Sequence, residues 1–199
     1  MDLFSHVLWS AGLVQLANRH LKAKHKHLRL RPILTAGWGI LPDLVVFVPT
    51  WVFYMWNLLV GKINFIHVPK HGQLNLVDTD TRIGLFYSFS HSFVVFCVII
   101  LLVLVLYWVF TRRKALHDSV LWALAGWGFH ILIDVPSHSY EYSSTPFFWP
   151  ISEWRFRAGL DWGTPTFLFL NYLVLFVLYV FLWYTEPRKK RVHWDNPLA

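Results

Sequence analysis

Two long segments without formal charge constrain the fold of this chain more than any other feature of its sequence. Residues 83–111 and residues 163–185 contain no Lys, Arg, Asp or Glu. As helices that rise about 1.5 Å per residue, both are long enough to cross a hydrocarbon core about 30 Å thick. The chain is 56% hydrophobic and 19% aromatic, which is more apolar surface than a soluble core of this size can bury. The sequence therefore predicts a polytopic membrane protein.

Five apolar segments predict an all-α fold, a compact bundle of four to five transmembrane helices in a single membrane-embedded domain, residues 1–199. The segments cover about 3–18, 33–60, 84–110, 117–137 and 163–184. Pro42 and Pro49 predict that the second segment is broken or kinked, and Pro136 predicts a break in the fourth. The first segment either spans the membrane or lies in its interface. Because it lacks a basic start, we expect it to remain in the mature protein.

Basic residues cluster in three places, and these clusters predict the orientation of the chain. The clusters lie within residues 19–31, 112–114 and 188–191. Counting crossings from the end of the first segment puts all three on one side, which the positive-inside bias assigns to the cytoplasm. We therefore expect a multi-pass protein of the inner (plasma) membrane with a basic cytoplasmic tail at about 186–199. Such a basic run could bind nucleic-acid phosphates. A cytoplasmic loop next to anionic lipid is expected to have the same composition. Because these clusters flank membrane segments, membrane lipid is the expected partner and nucleic acid is not.

Six His and Asp side chains interrupt the apolar segments, where an ionisable group costs on the order of 2.5–3.5 kcal/mol on insertion scales. They are His6, Asp43, His91, His130, Asp134 and His138. His130 and Asp134 are one helical turn apart, project to the same side, and can bind one ion or two adjacent ions. His138 joins them only if the helix continues past Pro136. Imidazole nitrogen and carboxylate oxygen suit Zn²⁺, and also Mn²⁺ or Fe²⁺, so the set predicts one or two divalent ions, with Zn²⁺ first.

Each member of this set also has another interpretation. Asp43 could cap a helix, and His6 or His91 could hydrogen-bond a neighbouring helix. His130 and Asp134 could form a proton relay without metal. The matching alternatives for function are a metal-ion or proton transporter, with polar groups spread through the depth of the bundle, and a non-catalytic protein whose metal or His–Asp contacts only hold helices together.

Short motifs around these residues resemble the inner-membrane-associated, metal-dependent hydrolase family that is also described as LexA-binding. The motifs are SH at His6, LPDL at Asp43, SFSHS at His91, HILID and PSH within 130–138, and TPFFWPIS at 145–152. Family members often read LPDLD, and this chain has Val45 in place of the second acid, so one potential carboxylate ligand is absent. The His/Asp order is also distantly similar to that of zinc-dependent phospholipase C. The resemblance implies metal ligands at His6, Asp43, His91, His130 and Asp134, with Asp134 bridging. LexA binding rests on the family label alone, so the protein partner is unknown.

The resemblance and the site residues together predict hydrolysis of a phosphoester. A metal-bound water would attack a phospholipid or a lipid-linked substrate. Asp43 or Glu141, which stands three residues after His138, could accept the proton. Arg155 and Arg157 could steady the substrate phosphate, although arginines that snorkel beside an aromatic belt have the same sequence pattern.

Overall fold

The computed structural model describes residues 2–24, 30–62, 82–112, 119–140 and 144–185. Over these ranges the chain forms seven helices and no strand. The helices are α1 (Leu3–Lys24), α2 (Pro32–Leu59), α3 (Arg82–Ser90), α4 (Phe93–Thr111), α5 (Ser119–Trp122), α6 (Ala125–Ser137) and α7 (Pro165–Tyr184). Four segments are long and apolar enough to cross a membrane, namely Pro32–Leu59, Phe93–Thr111, Val120–Ser137 and Pro165–Tyr184. The predicted all-α membrane fold is confirmed.

Helix α2 lies at the centre of the bundle and packs against α1, α3 and α6. Its buried residues recur at helical spacing and form one inward face: Thr35, Ala36, Gly39, Pro42, Asp43 and Val46. Of the predicted break or kink at Pro42 and Pro49, the break is absent, because α2 is one helix through both prolines. Pro42 is itself fully buried, so the packed neighbours support α2 where proline removes a backbone hydrogen bond.

The third apolar segment, predicted at about 84–110, is not one continuous helix. The segment is divided at His91 and Ser92 into a short α3 and a long α4. Ser92 has extended backbone, and its side chain accepts a hydrogen bond from the Val95 amide at 3.2 Å, so it is the N-cap of α4. The division leaves His91 at the end of α3.

The fourth segment contains the single turn α5 and the longer helix α6. Helix α6 ends at Ser137, one residue after Pro136, close to the predicted break. His138 has extended backbone, yet its amide still donates to the Asp134 carbonyl at 3.1 Å. The last turn therefore keeps His138 close to α6.

Hydrogen bonds between helices establish that α7 runs parallel to α1. At one end the Asn171 side-chain amide donates to the Ser5 hydroxyl at 2.7 Å. At the other end Arg19 donates to the Leu182 carbonyl. The two helices therefore start together and end together.

Helix α2 runs antiparallel to α1 and parallel to α6. The Asn18 side chain, near the end of α1, donates to the Leu30 carbonyl just before α2 at 2.9 Å. Gly126, at the start of α6, lies against the backbone at the start of α2, and His130 contacts the Gly39 carbonyl further along at 2.7 Å. The end of α1 and the starts of α2 and α6 therefore lie together.

Helix α4 runs antiparallel to α6. Phe96 near its start contacts Trp127, whereas Leu104 shares an apolar groove with Leu121 of α5. The end of α4 thus lies on the same side as the start of α6. All described helix ends that flank the three basic clusters lie at one end of the bundle, in agreement with the predicted topology.

A covering loop (residues 144–164) packs on the opposite end of α6. The Leu160 amide donates to the Pro136 carbonyl at 2.9 Å, and the Trp162 amide donates to the Ser137 carbonyl at 3.2 Å. A Cβ at Gly159 would collide with the carbonyl oxygen of His138. This close contact closes the bundle above the His/Asp residues.

Candidate metal centre

The six predicted His and Asp side chains meet at one place inside the bundle. His6 comes from α1, Asp43 from α2, and His91 from the junction of α3 and α4. The other three come from α6 and its C-cap: His130, Asp134 and His138. None of the six residues is more than 5% exposed. Residues far apart in the sequence thus form one buried cluster, the centre.

Small residues bring the backbones of three helices close enough to form this centre. A Cβ at Gly126 would collide with the backbone of α2 at the Thr35 carbonyl, and a Cβ at Gly39 would collide with Ser10 of α1. Such close approach is characteristic of small residues at membrane helix interfaces. It places the His130 Nδ1 atom 2.7 Å from the Gly39 carbonyl oxygen.

The outer nitrogen of three imidazole rings contacts a fixed oxygen. His130 Nδ1 contacts Gly39, His91 Nδ1 lies 2.9 Å from the Ser90 hydroxyl, and His138 Nδ1 lies 3.2 Å from the Tyr87 hydroxyl. Contacts of this kind set the ring orientation of metal-binding histidines and leave Nε2 for the metal. In all three residues the Nε2 atom is the one near the carboxylates.

The two oxygens of Asp134 face different histidines. Oδ1 lies 3.1 Å from His6 Nε2 and 3.7 Å from His138 Nε2. Oδ2 lies 3.0 Å from His130 Nε2 and 3.6 Å from His91 Nε2. Asp134 therefore lies between two pairs of imidazoles.

The two oxygens of Asp43 also face different histidines. Oδ1 lies 3.4 Å from His91 Nε2 and 3.7 Å from His130 Nε2, and Oδ2 lies 3.9 Å from His6 Nε2. Ligand atoms at about 2.0–2.2 Å from a common ion lie about 3–3.6 Å from one another. Most of the distances within the centre fall in or close to that range.

Hydrogen bonding within the protein does not satisfy all these groups. Neither ring nitrogen of His6 has a hydrogen-bond partner, although its Nε2 lies 3.1 Å from Asp134. The Asp43 Oδ2 atom is also buried without one. Unpartnered polar atoms and two carboxylates inside the bundle are costly unless a cation compensates them.

Two overlapping groups in the centre could hold a metal ion. The first contains His6, Asp43 and His130, and the second contains His91, His130 and Asp134. In each group the ligand atoms lie within 4.8 Å of one another. The arrangement fits the predicted divalent cation.

The residues predicted to assist proton transfer or to bind substrate, other than Asp43, are not among the six side chains of the centre. Glu141 lies outside the described residues. Arg155 is buried in the covering loop, donates to the Ser144 carbonyl, and has a pKa that burial lowers. Arg157 is exposed, and its guanidinium lies 5.5 Å from the centroid of the Tyr140 ring rather than in the centre.

Tyr87 is a residue of the centre that was not predicted from the sequence. It is 1% exposed, its hydroxyl contacts His138, and its ring stacks on His91 with centroids 4.1 Å apart. Its position four residues before His91 was a usable signal, since residues at that spacing share a helix face.

One comparison with known proteins identifies a family. The family model described as YdjM inner membrane protein matches residues 1–195. No curated protein and no solved structure matches the chain. The description supports the inner-membrane part of the resemblance drawn from the motifs, and it does not mention hydrolysis or phospholipase C.

Proposed function

This chain belongs to the YdjM inner membrane protein family, and from that premise we propose that it is a membrane-bound, metal-dependent hydrolase. Its substrate is a phosphoester of a phospholipid or of a lipid-linked molecule. One observation carries the proposal: both oxygens of Asp134 and both oxygens of Asp43 face imidazole nitrogens within a fully buried centre.

The centre has enough ligand side chains for one or two ions. His91 and His130 share Asp43 Oδ1 and Asp134 Oδ2, whereas His6 lies on the side of the other two oxygens. His138 faces Asp134 Oδ1 and belongs to the second set. The four imidazoles and two carboxylates would hold the ions, and imidazole nitrogen with carboxylate oxygen is a ligand set that Zn²⁺ accepts. Bound zinc supplies a water of lowered pKa and an acceptor for phosphoryl oxygen charge.

The surrounding residues have defined tasks in this proposal. Asp43 accepts the proton, because its Oδ2 is the carboxylate oxygen with the longest contact and no hydrogen-bond partner. Glu141 is the second candidate for that task by its sequence position. Arg155 orients the phosphate from the covering loop, and Arg157 would contact substrate only at the surface.

A transporter is less well supported than a hydrolase. An ion path requires ionisable groups through the depth of the bundle. In the four candidate spans the only His, Asp, Glu, Lys or Arg residues are Asp43, His130 and Asp134, and all three belong to the centre. The other alternative is a metal site that only holds the helices together, and a measurement of hydrolysis distinguishes it from an enzyme.

We also assign residues 1–199 to one membrane-embedded domain with the tail at about 186–199 in the cytoplasm. The described helix ends beside the three basic clusters share one end of the bundle. The positive-inside bias then supports the cytoplasmic assignment.

Metal analysis of the detergent-purified chain tests the proposal directly. We expect about one to two transition-metal ions per chain in the wild type, with a strong loss in Asp134→Ala. Asp161→Ala is the matched control, because Asp161 lies in the covering loop and binds the Gly163 amide at 2.9 Å. Less than one ion per wild-type chain would refute the proposal.

Activity then separates an enzyme from a structural metal protein. A panel of phospholipids and phosphomonoesters should include at least one that wild type hydrolyses and Asp134→Ala does not. Metal-loaded protein without hydrolysis of any member would favour the structural alternative, and ion flux in proteoliposomes would favour the transporter.

A further inference from the structure

The covering loop contains a buried cation that the metal centre itself does not require. Arg155 is only 8% exposed, and no other described Lys or Arg side chain is buried. Burying a guanidinium is costly, so such a residue in a membrane protein usually marks a functional site. A guanidinium also presents a fork of five N–H donors that matches phosphate oxygens.

Two buried hydroxyls lie in the loop segment that this cation contacts. They belong to Ser144 and Thr145, which are 1% and 2% exposed. Arg155 donates to the carbonyl of Ser144, so both hydroxyls belong to the segment that Arg155 contacts. The Ser144 hydroxyl has no hydrogen-bond partner, and a bound anion would remove the cost of burying it by accepting its hydrogen bond.

Tyr87 connects this segment with the metal centre. Its hydroxyl neighbours the Thr145 side chain and lies within electrostatic range of Arg155. The same hydroxyl is 3.2 Å from His138 Nδ1. An anion held between Arg155 and Thr145 would thus be only one side chain away from a histidine of the centre.

We propose that Arg155, Thr145 and Tyr87 form a pocket for a tetrahedral oxyanion, the phosphoryl oxygens of the substrate, beside the metal centre. Donors come from two directions, the covering loop and α3, which suits a tetrahedral group better than a planar carboxylate. The role as a substrate pocket rests on the proposed hydrolase function. Anion binding itself can be measured without turnover.

Calorimetric titration of the full-length, metal-loaded chain in detergent tests this pocket. The probes are inorganic phosphate and a short-chain phosphatidic acid. We expect Thr145→Val to weaken binding about tenfold and Arg155→Gln to weaken it about a hundredfold, with metal content unchanged. Thr145→Ser keeps the hydroxyl and Arg155→Lys keeps the charge, so these variants should recover most and part of the affinity. Thr166→Val and Arg31→Gln, at exposed positions, should bind as wild type does.

The outcomes distinguish the pocket from the function on which it rests. Wild-type affinity in both Thr145→Val and Arg155→Gln would overturn the pocket, and so would an equal loss in Thr145→Ser and Thr145→Val. Metal-poor protein that still binds phosphate through Arg155 would keep the pocket and refute the hydrolase. If only the phosphatidic acid binds, and does so through Arg155, the pocket takes lipid head groups; if both probes bind, it takes free phosphate as well.

Discussion

Contacts on the outer side of the imidazole rings determine what the centre can bind. His130, His91 and His138 each have Nδ1 beside an oxygen of the protein and Nε2 beside a carboxylate. A metal-binding histidine needs this arrangement, because the outer contact sets both the tautomer and the ring orientation. The outer partners are a glycine carbonyl, a serine and a tyrosine, which carry no ligand signature in sequence.

Replacing Tyr87 by Phe should weaken metal binding without unfolding the protein. The substitution removes the hydroxyl that contacts His138 and keeps the ring that stacks on His91. Loss of such a supporting contact costs about 10–100-fold in metal affinity. Titration of the loaded protein with a chelator measures this change, and Tyr184→Phe, at an exposed position, is the control. Equal metal retention in the two variants would show that the Tyr87 hydroxyl does not support the centre.

The sequence predicted some residues of the centre and not others. His130 and Asp134 were predicted to share a site because their spacing places them on one helix face, and Asp134 Oδ2 lies 3.0 Å from His130 Nε2. Tyr87 was not recognised, since an aromatic residue in an aromatic-rich segment has the pattern of a packing residue. Its role depends on His138, which is distant in sequence.

At the scale of elements, the closeness of α2 and α6 determines whether the centre forms. The His130 ring reaches the Gly39 carbonyl because Gly126 has no side chain to separate the two backbones. Both segments were predicted to be helices, but a glycine in a helical pattern does not reveal which neighbour it faces. The contact partner was therefore beyond prediction.

Gly126→Ala should separate α6 from α2 and lower both stability and metal content. The added Cβ would collide with the Thr35 carbonyl, a backbone atom that cannot rotate away. Overpacking of this kind costs about 1–3 kcal/mol. Gly37→Ala is the matched control, because nothing lies within 4 Å of its added Cβ and alanine favours a helix by up to about 1 kcal/mol. Thermal unfolding and metal analysis measure the pair; equal behaviour would contradict the close approach.

The division between α3 and α4 has a local cause that average hydropathy does not detect. Ser92 caps α4 and also donates to the Trp149 carbonyl of the covering loop. Two serines and a histidine barely change the mean hydropathy of so apolar a segment, so hydropathy alone gives no sign of the division. Capping chemistry, not polarity, ends α3 beside the centre.

Ser92→Ala should therefore affect the centre as well as stability. The lost cap costs about 1 kcal/mol, and the neighbouring His91 loses its anchored position, so metal content should fall. Thr164→Ala removes the corresponding cap of α7, whose hydroxyl accepts from the Phe167 amide at 3.3 Å. That control should lose similar stability and keep its metal. Metal loss of equal size in both variants would mean that general destabilisation explains the effect.

At the scale of the whole molecule, most of the architecture was predictable because a bilayer leaves few options. Lipid requires internally bonded backbone, so long apolar segments must be helices. The order of segments and the three basic clusters then determine a topology. Which helices pack together was not predictable, because no hydrophobic contrast distinguishes neighbours in lipid; α2, containing two prolines, is the central helix rather than a broken one.

The three basic clusters should lie on one side of the membrane, and cysteine labelling tests this. The background is Cys97→Ala, which removes the only native cysteine. Single cysteines at His27, Leu116 and His193 should react with a membrane-impermeant thiol reagent from the same side, the cytoplasmic one. A cysteine at Asn75, in the connection from α2 to α3, should react from the other side, since α2 starts at the basic end and crosses. Labelling in sealed right-side-out and inverted vesicles distinguishes the two. A split among the three would contradict the helix directions. Reaction of all three from outside would keep the fold and reverse the orientation, because helix directions determine the shared end and the basic residues alone determine its side.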